Sequence, residues 1–161
     1  MSELWNKCLS CQEKCCDSEV VFPLFVTEDE YERLKSSYPE AVNQFNKSVP
    51  CPFLKGNKLC IVHEIKPVDC KLFPFDIVMI GRKFYWIIRK INCPIAKDEE
   101  SYEKYLKVFE ETIIPNFIEC LEDYSLFRYE ELAEKWGCKM IREVRFIAEN
   151  ILITQRSVIN L

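Results

Sequence analysis

The sequence predicts an α+β protein: an irregular cysteine-rich region with short strands and a β-hairpin, packed against a helical C-terminal half. Eight of the ten cysteines precede residue 94. Two apolar, β-branched segments flank Gly81-Arg82, which is typical of a hairpin. From Asp98 onward, apolar residues recur at helical spacing. We therefore expect a single domain over 1–161, with a cysteine-cluster metal-binding region over 8–96 and a helical region over 98–161.

The first half begins with an expected strand and an expected helix. Residues 19–26, EVVFPLFV, are apolar and β-branched, which predicts an edge strand interrupted by a proline. Thr27 and Glu30 have the spacing of a capping box, which predicts a helix starting near residue 28 and ending near 37. Residues 37–50 are expected to form a loop or a short helix.

Prolines divide the middle of the chain into short elements. Residues 59–63, LCIVH, predict a short strand. Residues 66–73 predict one or two helical turns that begin at a proline and stop at Pro74. The segments 75–80 and 83–89 are the two expected hairpin strands.

The second half has a helical pattern. Residues 98–113 place aromatic and aliphatic side chains at three- and four-residue spacing. Pro115 should end or kink this helix, and residues 117–127 could continue it. Residues 129–137 predict a short helix that stops at a glycine. Residues 140–151 also fit one helical face.

Charge and hydropathy exclude several classes of function. The net charge is −4 and the pI is about 5.2, so neither nucleic acid nor an anionic membrane is an expected partner. No signal-length or membrane-spanning apolar stretch is present, which favours a cytoplasmic protein. The expected partner is another protein, either a redox partner or a client.

The number of cysteines indicates metal ligation. Disulfides are rare in a reducing cytoplasm, whereas thiolates are preferred ligands of zinc and of iron–sulfur clusters. Cys8 and Cys11 have C-x2-C spacing and Cys15 follows at C-x3-C, so one short segment offers several sulfurs. A cluster of this density is typical of a metal site rather than of buried apolar thiols.

The neighbours Cys15 and Cys16 need separate roles. Adjacent side chains of an extended chain point to opposite sides, so these two are poorly placed to bind the same ion. Either one is a spare buried thiol, or each belongs to a different metal centre. The eight expected ligands, enough for two four-sulfur sites, are Cys8, Cys11, Cys15, Cys16, Cys51, Cys60, Cys70 and Cys93.

Three other candidate side chains are assigned to packing. Cys120 and Cys138 lie in helical patterns without a cysteine neighbour and are expected to be buried small hydrophobes. His63 is the only histidine, and it is expected to be packed, with metal ligation as the alternative.

Taken together, CLSCQEKCC, CPFL and CIVHEIKPVDCKLFPF resemble, in this order, the YkgJ-like CxxCxxxCC cysteine-cluster family of zinc- or iron-chelating domains. Flagellin lysine N-methylases share the cysteine motif of that family. The resemblance spans residues 8–96, and it implies chelation without implying a reaction. His63 stands where the family usually has tyrosine, and Lys66 stands where it usually has arginine.

An iron–sulfur cluster, [4Fe–4S], is the expected cofactor, and zinc is the alternative. Cys51 and Cys93 each precede a proline, as the last cysteine of a ferredoxin run often does. Aromatic residues between the cysteines would shield a cluster from water. The expected role is electron transfer, redox sensing or maturation of another protein, and a zinc-built interaction module is the alternative.

An enzyme is the less favoured class. The link to flagellin methylases suggests a methyltransferase, but the chain has only three glycines and no G-x-G-x-x-G or P-loop motif to hold a nucleotide-like cofactor. A thiol-redox enzyme would need a C-x-x-C motif that opens a helix after a clear strand, and the chain lacks one.

Overall fold

A computed structural model describes residues 7, 10, 11, 15–17, 24–45, 47, 50–56, 59–89, 91–126 and 137–146. The chain divides into two compact units, Met1–Phe73 and Pro74–Leu161. A three-stranded antiparallel sheet and several helices confirm the predicted α+β class. The extent of a single domain and the boundaries at 8–96 and 98–161 stay predictions.

The described part of the first unit includes the short helices α1 (Glu28–Ser37), α2 (Pro39–Gln44) and α3 (Val68–Leu72). The capping box of α1 is confirmed, because the Glu30 amide donates to Thr27 Oγ1 and the Thr27 amide donates to Glu30 Oε2, at 3.3 and 3.2 Å. Helices α2 and α3 confirm the short helix after residue 37 and the helical turn ahead of Pro74.

The core of the first unit is formed around Phe53, which is 1% exposed. The ring of Phe53 contacts the rings of Tyr38 and Phe45, with centroids 6.1 and 5.2 Å away. Burial of apolar area is the main stabilising contribution in such a small unit. The buried residues of this cluster are Leu34, Val42, Phe45, Phe53 and Val62.

Two strand predictions in this unit are wrong where they can be compared. Residues 24–27 form no regular element, and residues 19–23 of the same predicted strand lie outside the described residues. In the segment 59–63, only an isolated bridge between Leu54 and Cys60 forms before the chain turns. Val62 is buried in the core and Ile61 packs against it from a turn, whereas Leu59 is exposed, so the β-branched residues of this segment did not require a strand.

The second unit begins with the predicted hairpin, formed by β1 (Phe75–Ile80) and β2 (Lys83–Arg89). Gly81 at the turn has φ = +66°, a backbone conformation that favours glycine. A third strand, β3 (Cys138–Glu143), pairs antiparallel with β2 and gives the order β1-β2-β3.

The predicted helix over 140–151 is wrong at residues 140–143, which lie in strand β3. The edge of β2 offers unpaired backbone groups, and pairing with that edge satisfies the amides and carbonyls of this segment. Local periodicity could not reveal that partner. The remainder of this predicted helix from residue 147 onward lies outside the described residues, as does the predicted helix over 129–136.

Helix α4 (Tyr102–Thr112) confirms the helix predicted after Asp98. It packs on the sheet through aromatic contacts of Phe75 with Tyr102 and Phe109, at centroid distances of 5.3 and 5.8 Å. Beyond it, Pro115 lies in a 3-10 turn, and residues 121–126 are again helical. None of the helices in the described part of the chain is long and apolar enough to cross a membrane.

Candidate metal centre

Four of the predicted ligands act on one another within the first unit. Burial is the largest cause that raises the pKa of the Cys70 thiol, and the charges of Cys16, Cys51 and Cys60 raise it further. These electrostatic effects link four cysteines whose segments are far apart in sequence. The positive charge of Lys66 acts in the opposite direction on Cys70.

The pKa of Cys51 is also raised by burial and by the charges of other cysteines. Burial raises the pKa of its thiol to about 11, while a hydrogen bond from the Phe53 amide lowers it. The charges of Cys16 and Cys60 act to raise the value. A backbone N–H directed at sulfur stabilises the thiolate form, which is the form that binds metal.

Backbone hydrogen bonds fix three of these cysteines relative to one another. The Cys51 amide donates to the Cys16 carbonyl at 2.9 Å, which ties the N-terminal segment to the loop that carries Cys51. The chain then turns, because the Leu54 amide donates to the Cys51 carbonyl at 2.9 Å. Leu54 in turn bridges Cys60, so Cys51 and Cys60 lie on the two sides of one small loop.

The hydrophobic core forms one wall of this group. Cys51 and Cys60 are half-buried and pack against the cluster around Phe53. Cys16 and Cys70 are also half-buried as whole residues, although the thiol of Cys70 is itself shielded from water. An apolar wall keeps water from one side of a metal–thiolate centre, and partial exposure leaves a route for exchange on the other.

The adjacent pair Cys15-Cys16 lies in a 3-10 turn, Cys15–Asp17. Cys16 is half-buried and acts on Cys51 and Cys70, whereas Cys15 is exposed. The two side chains therefore have different environments. The sequence left open that one cysteine of this pair is a spare buried thiol, and the exposure of Cys15 shows that Cys15 is not that thiol.

All eight ligand assignments stay predictions, and the remaining candidates have the following environments. Cys8 lies outside the described residues. Cys11 is half-buried, and Cys93 is half-buried in a turn of the second unit. His63 is half-buried as well, and its amide donates to the Cys60 carbonyl at 3.3 Å.

The two cysteines assigned to packing, Cys120 and Cys138, are half-buried rather than fully buried. Cys138 packs against a small cluster of Val78 and Ile87 on the sheet.

Within the described residues, no three His, Cys, Asp or Glu side chains are already arranged as the ligands of a single metal ion. The case for convergence of Cys16, Cys51, Cys60 and Cys70 therefore depends on their mutual electrostatic effects and on the backbone contacts of their segments.

Two buried carboxylates near Cys70 were missed by sequence reasoning. Glu30 is 8% exposed and Asp69 is 2% exposed, and both accept hydrogen bonds from distant backbone amides. Glu30 was assigned only to the local capping box. A buried partner almost 40 positions away leaves no local sequence signal, whereas the position of Asp69 beside Cys70 is visible in the sequence.

This donor set has defined chemistry. At neutral pH, Cys51 and Cys70 hold their protons because both pKa values are raised. A metal would replace those protons, since the thiolate is the ligand. Four thiolates suit either a four-cysteine zinc site or a [4Fe–4S] cluster. Either centre would offset the electrostatic repulsion between the negatively charged sulfurs.

No curated protein and no solved structure matches this chain significantly. A family model does match residues 7–106, and its description is "CxxCxxCC: Putative zinc- or iron-chelating domain". The matched residues include Cys16, Cys51, Cys60 and Cys70 as well as Cys93. Because the match covers most of the chain, this protein belongs to the CxxCxxCC family.

Proposed function

We propose that Cys16, Cys51, Cys60 and Cys70 hold an iron–sulfur cluster and that the protein uses it in electron transfer, redox sensing or the maturation of another protein. One observation carries the proposal: the Cys51 amide donates to the Cys16 carbonyl at 2.9 Å, which joins the N-terminal cysteine segment to the loop that carries Cys51 and Cys60. These four thiols form no disulfide, and together they would provide the ligand set of such a cluster.

The surroundings of the four cysteines support a cluster that exchanges electrons. Cys16, Cys51 and Cys60 are half-buried, so a centre that they hold together with the buried thiol of Cys70 would lie close to the surface. Electron exchange needs that proximity to a partner, while the Phe53 wall and the N–H bond to Cys51 would adjust the reduction potential. A reducing compartment such as the cytoplasm would keep the thiols available for ligation.

Zinc is the second candidate. The family description names both zinc and iron, and four thiolates form a common structural zinc site. In that case the metal would shape a surface for protein binding and perform no redox chemistry.

The test is purification of the full chain without oxygen, followed by measurement of iron, acid-labile sulfide and zinc per chain. We expect iron and sulfide in equal amounts, with a visible absorption that bleaches on reduction with dithionite. Stoichiometric zinc in a colourless protein would contradict the iron–sulfur proposal and support the zinc-built interaction module. A protein with neither metal, even after reconstitution with iron and sulfide or with zinc, would contradict the proposal.

A further inference from the structure

Helix α3, which carries Cys70, cannot hold its position unaided. It has only five residues, and isolated helices of that length are unstable in water. Its N-cap is Pro67, which makes no side-chain capping bond. The backbone amide of Val68 at its first turn therefore needs an acceptor from elsewhere.

Glu30 supplies that acceptor from helix α1. The Val68 amide donates to Glu30 Oε1 at 2.7 Å, in a buried environment. The second oxygen of the same carboxylate, Oε2, accepts the Thr27 amide in the capping box of α1. One side chain thus joins the start of α1 to the start of α3. Bonds to a charged acceptor are stronger and shorter than those between neutral groups.

A second bond runs between the same two segments in the opposite direction. Asp69, the residue before Cys70, accepts the Phe25 amide at Oδ2, at a distance of 2.8 Å. Asp69 is 2% exposed, so its carboxylate is shielded from water. Two buried carboxylates, one from each segment, therefore fix α3 against residues 25–30.

We propose that Glu30 is a positioning residue for the metal centre: its bond to Val68 orients helix α3 so that Cys70 can ligate the same metal as Cys16, Cys51 and Cys60. This inference rests on the proposed metal-binding function. Residues that orient metal ligands commonly change metal affinity when they are altered. Glu30 lies outside the cysteine motif, so metal affinity would depend on a residue that the motif does not contain.

The test uses Zn²⁺ as the probe, because tetrahedral thiolate sites bind it whatever the resident metal is. The metal-free full chain is titrated with Zn²⁺ in the absence of oxygen, in competition with a chromophoric chelator. The main variant is Glu30→Asp, which keeps a carboxylate at the third position of α1 but is too short to reach Val68. Glu30→Ala removes both bonds of this side chain.

Thr27→Ala is the matched control. It removes the local Thr27 side-chain cap of α1 and leaves the Glu30–Val68 bond in place. We expect E30D and E30A to weaken Zn²⁺ binding about 10-fold, and T27A to leave it unchanged. Thermal unfolding of each variant separates a loss of metal affinity from a loss of fold. If E30A does not fold, E30D decides the result.

The possible outcomes separate the two proposals. If the wild-type chain binds Zn²⁺ and Cys70→Ser abolishes binding, the metal centre stands. Wild-type affinity in folded E30D would then overturn the positioning role alone, as would an equal loss of affinity in E30D and T27A. A wild-type chain that binds no Zn²⁺ would overturn both proposals.

Discussion

The thiol of Cys70 combines opposing electrostatic effects in one side chain. Burial and the charges of three other cysteines disfavour its thiolate, while the charge of Lys66 favours it. Lys66 is 5% exposed and lies four residues before Cys70. A bound metal would reverse the balance, because a cation compensates the sulfur charges that otherwise repel.

The raised pKa values predict how the metal-free protein responds to pH. A thiol whose pKa is higher in the folded than in the unfolded chain binds its proton more tightly when folded. This tighter proton binding by Cys51 stabilises the folded state fully below pH 9.0, the ordinary pKa of a cysteine, and the stabilisation is lost as pH rises through the folded-state pKa of about 11. Cys70 shifts in the same direction. We therefore expect the free energy of unfolding of the metal-free chain to fall over this pH range.

Urea unfolding of the chelator-treated, reduced chain at a series of pH values measures this dependence. Cys51→Ala is the control, because it removes one of the two titrating groups and should make the pH dependence shallower. A free energy of unfolding that rises with pH above 9.0 in the wild-type chain would contradict our inference that the thiols of Cys51 and Cys70 are protonated and shielded from water.

The hairpin shows at the level of single elements how local residue choice determines structure. Gly81 has φ = +66°, where a side chain is strained even though a Cβ atom would meet nothing within 4 Å. A Cβ atom at Gly56 would likewise meet nothing within 4 Å, but the backbone there has no such φ. These two glycines therefore form a matched pair that isolates backbone strain from steric clash.

Gly81→Ala should lower the free energy of unfolding by about 1–2 kcal/mol, the cost of a left-handed conformation for an L-residue. Gly56→Ala should have little effect or stabilise slightly, because alanine restricts the unfolded chain. Chemical unfolding of both variants in parallel makes the comparison. Equal losses in the two variants would contradict the turn geometry.

Elements with local signals could be predicted from the sequence. The Thr27–Glu30 capping box predicted α1, two prolines bracketed α3, and Gly81-Arg82 predicted the hairpin. Each of these signals acts within a few residues, so no knowledge of the rest of the fold is needed.

Elements that depend on distant partners could not be predicted in the same way. Residues 138–143 become a strand because the edge of β2 is available, and the turn that begins at Ile61 places Ile61 and Val62 against the core around Phe53. The same distinction between local signals and distant partners applies to the candidate site. Cysteine spacing identified the ligand candidates, but only the fold shows that the Cys51 amide bonds to the carbonyl of Cys16, which is distant in sequence.

At the scale of the whole molecule, the family match and the compact units have different boundaries. The match extends over residues 7–106, whereas the first unit ends at Phe73. The cysteines that act on Cys70 all belong to the first unit, and Cys93 belongs to the second. The four cysteines of the centre that we propose therefore all come from the first unit, and Cys93 stays a predicted ligand.

The central claim is that these four cysteines bind one metal centre, and the most direct test is the metal content of single Cys→Ser variants. The full chain is purified without oxygen as wild type and as variants at Cys16, Cys51, Cys60 and Cys70, with Cys120→Ser and Cys138→Ser as half-buried controls. We predict that each of the first four substitutions removes most of the bound metal and that both controls keep the wild-type content. Wild-type metal content in any two of the four variants, or an equal loss in the controls, would contradict the account.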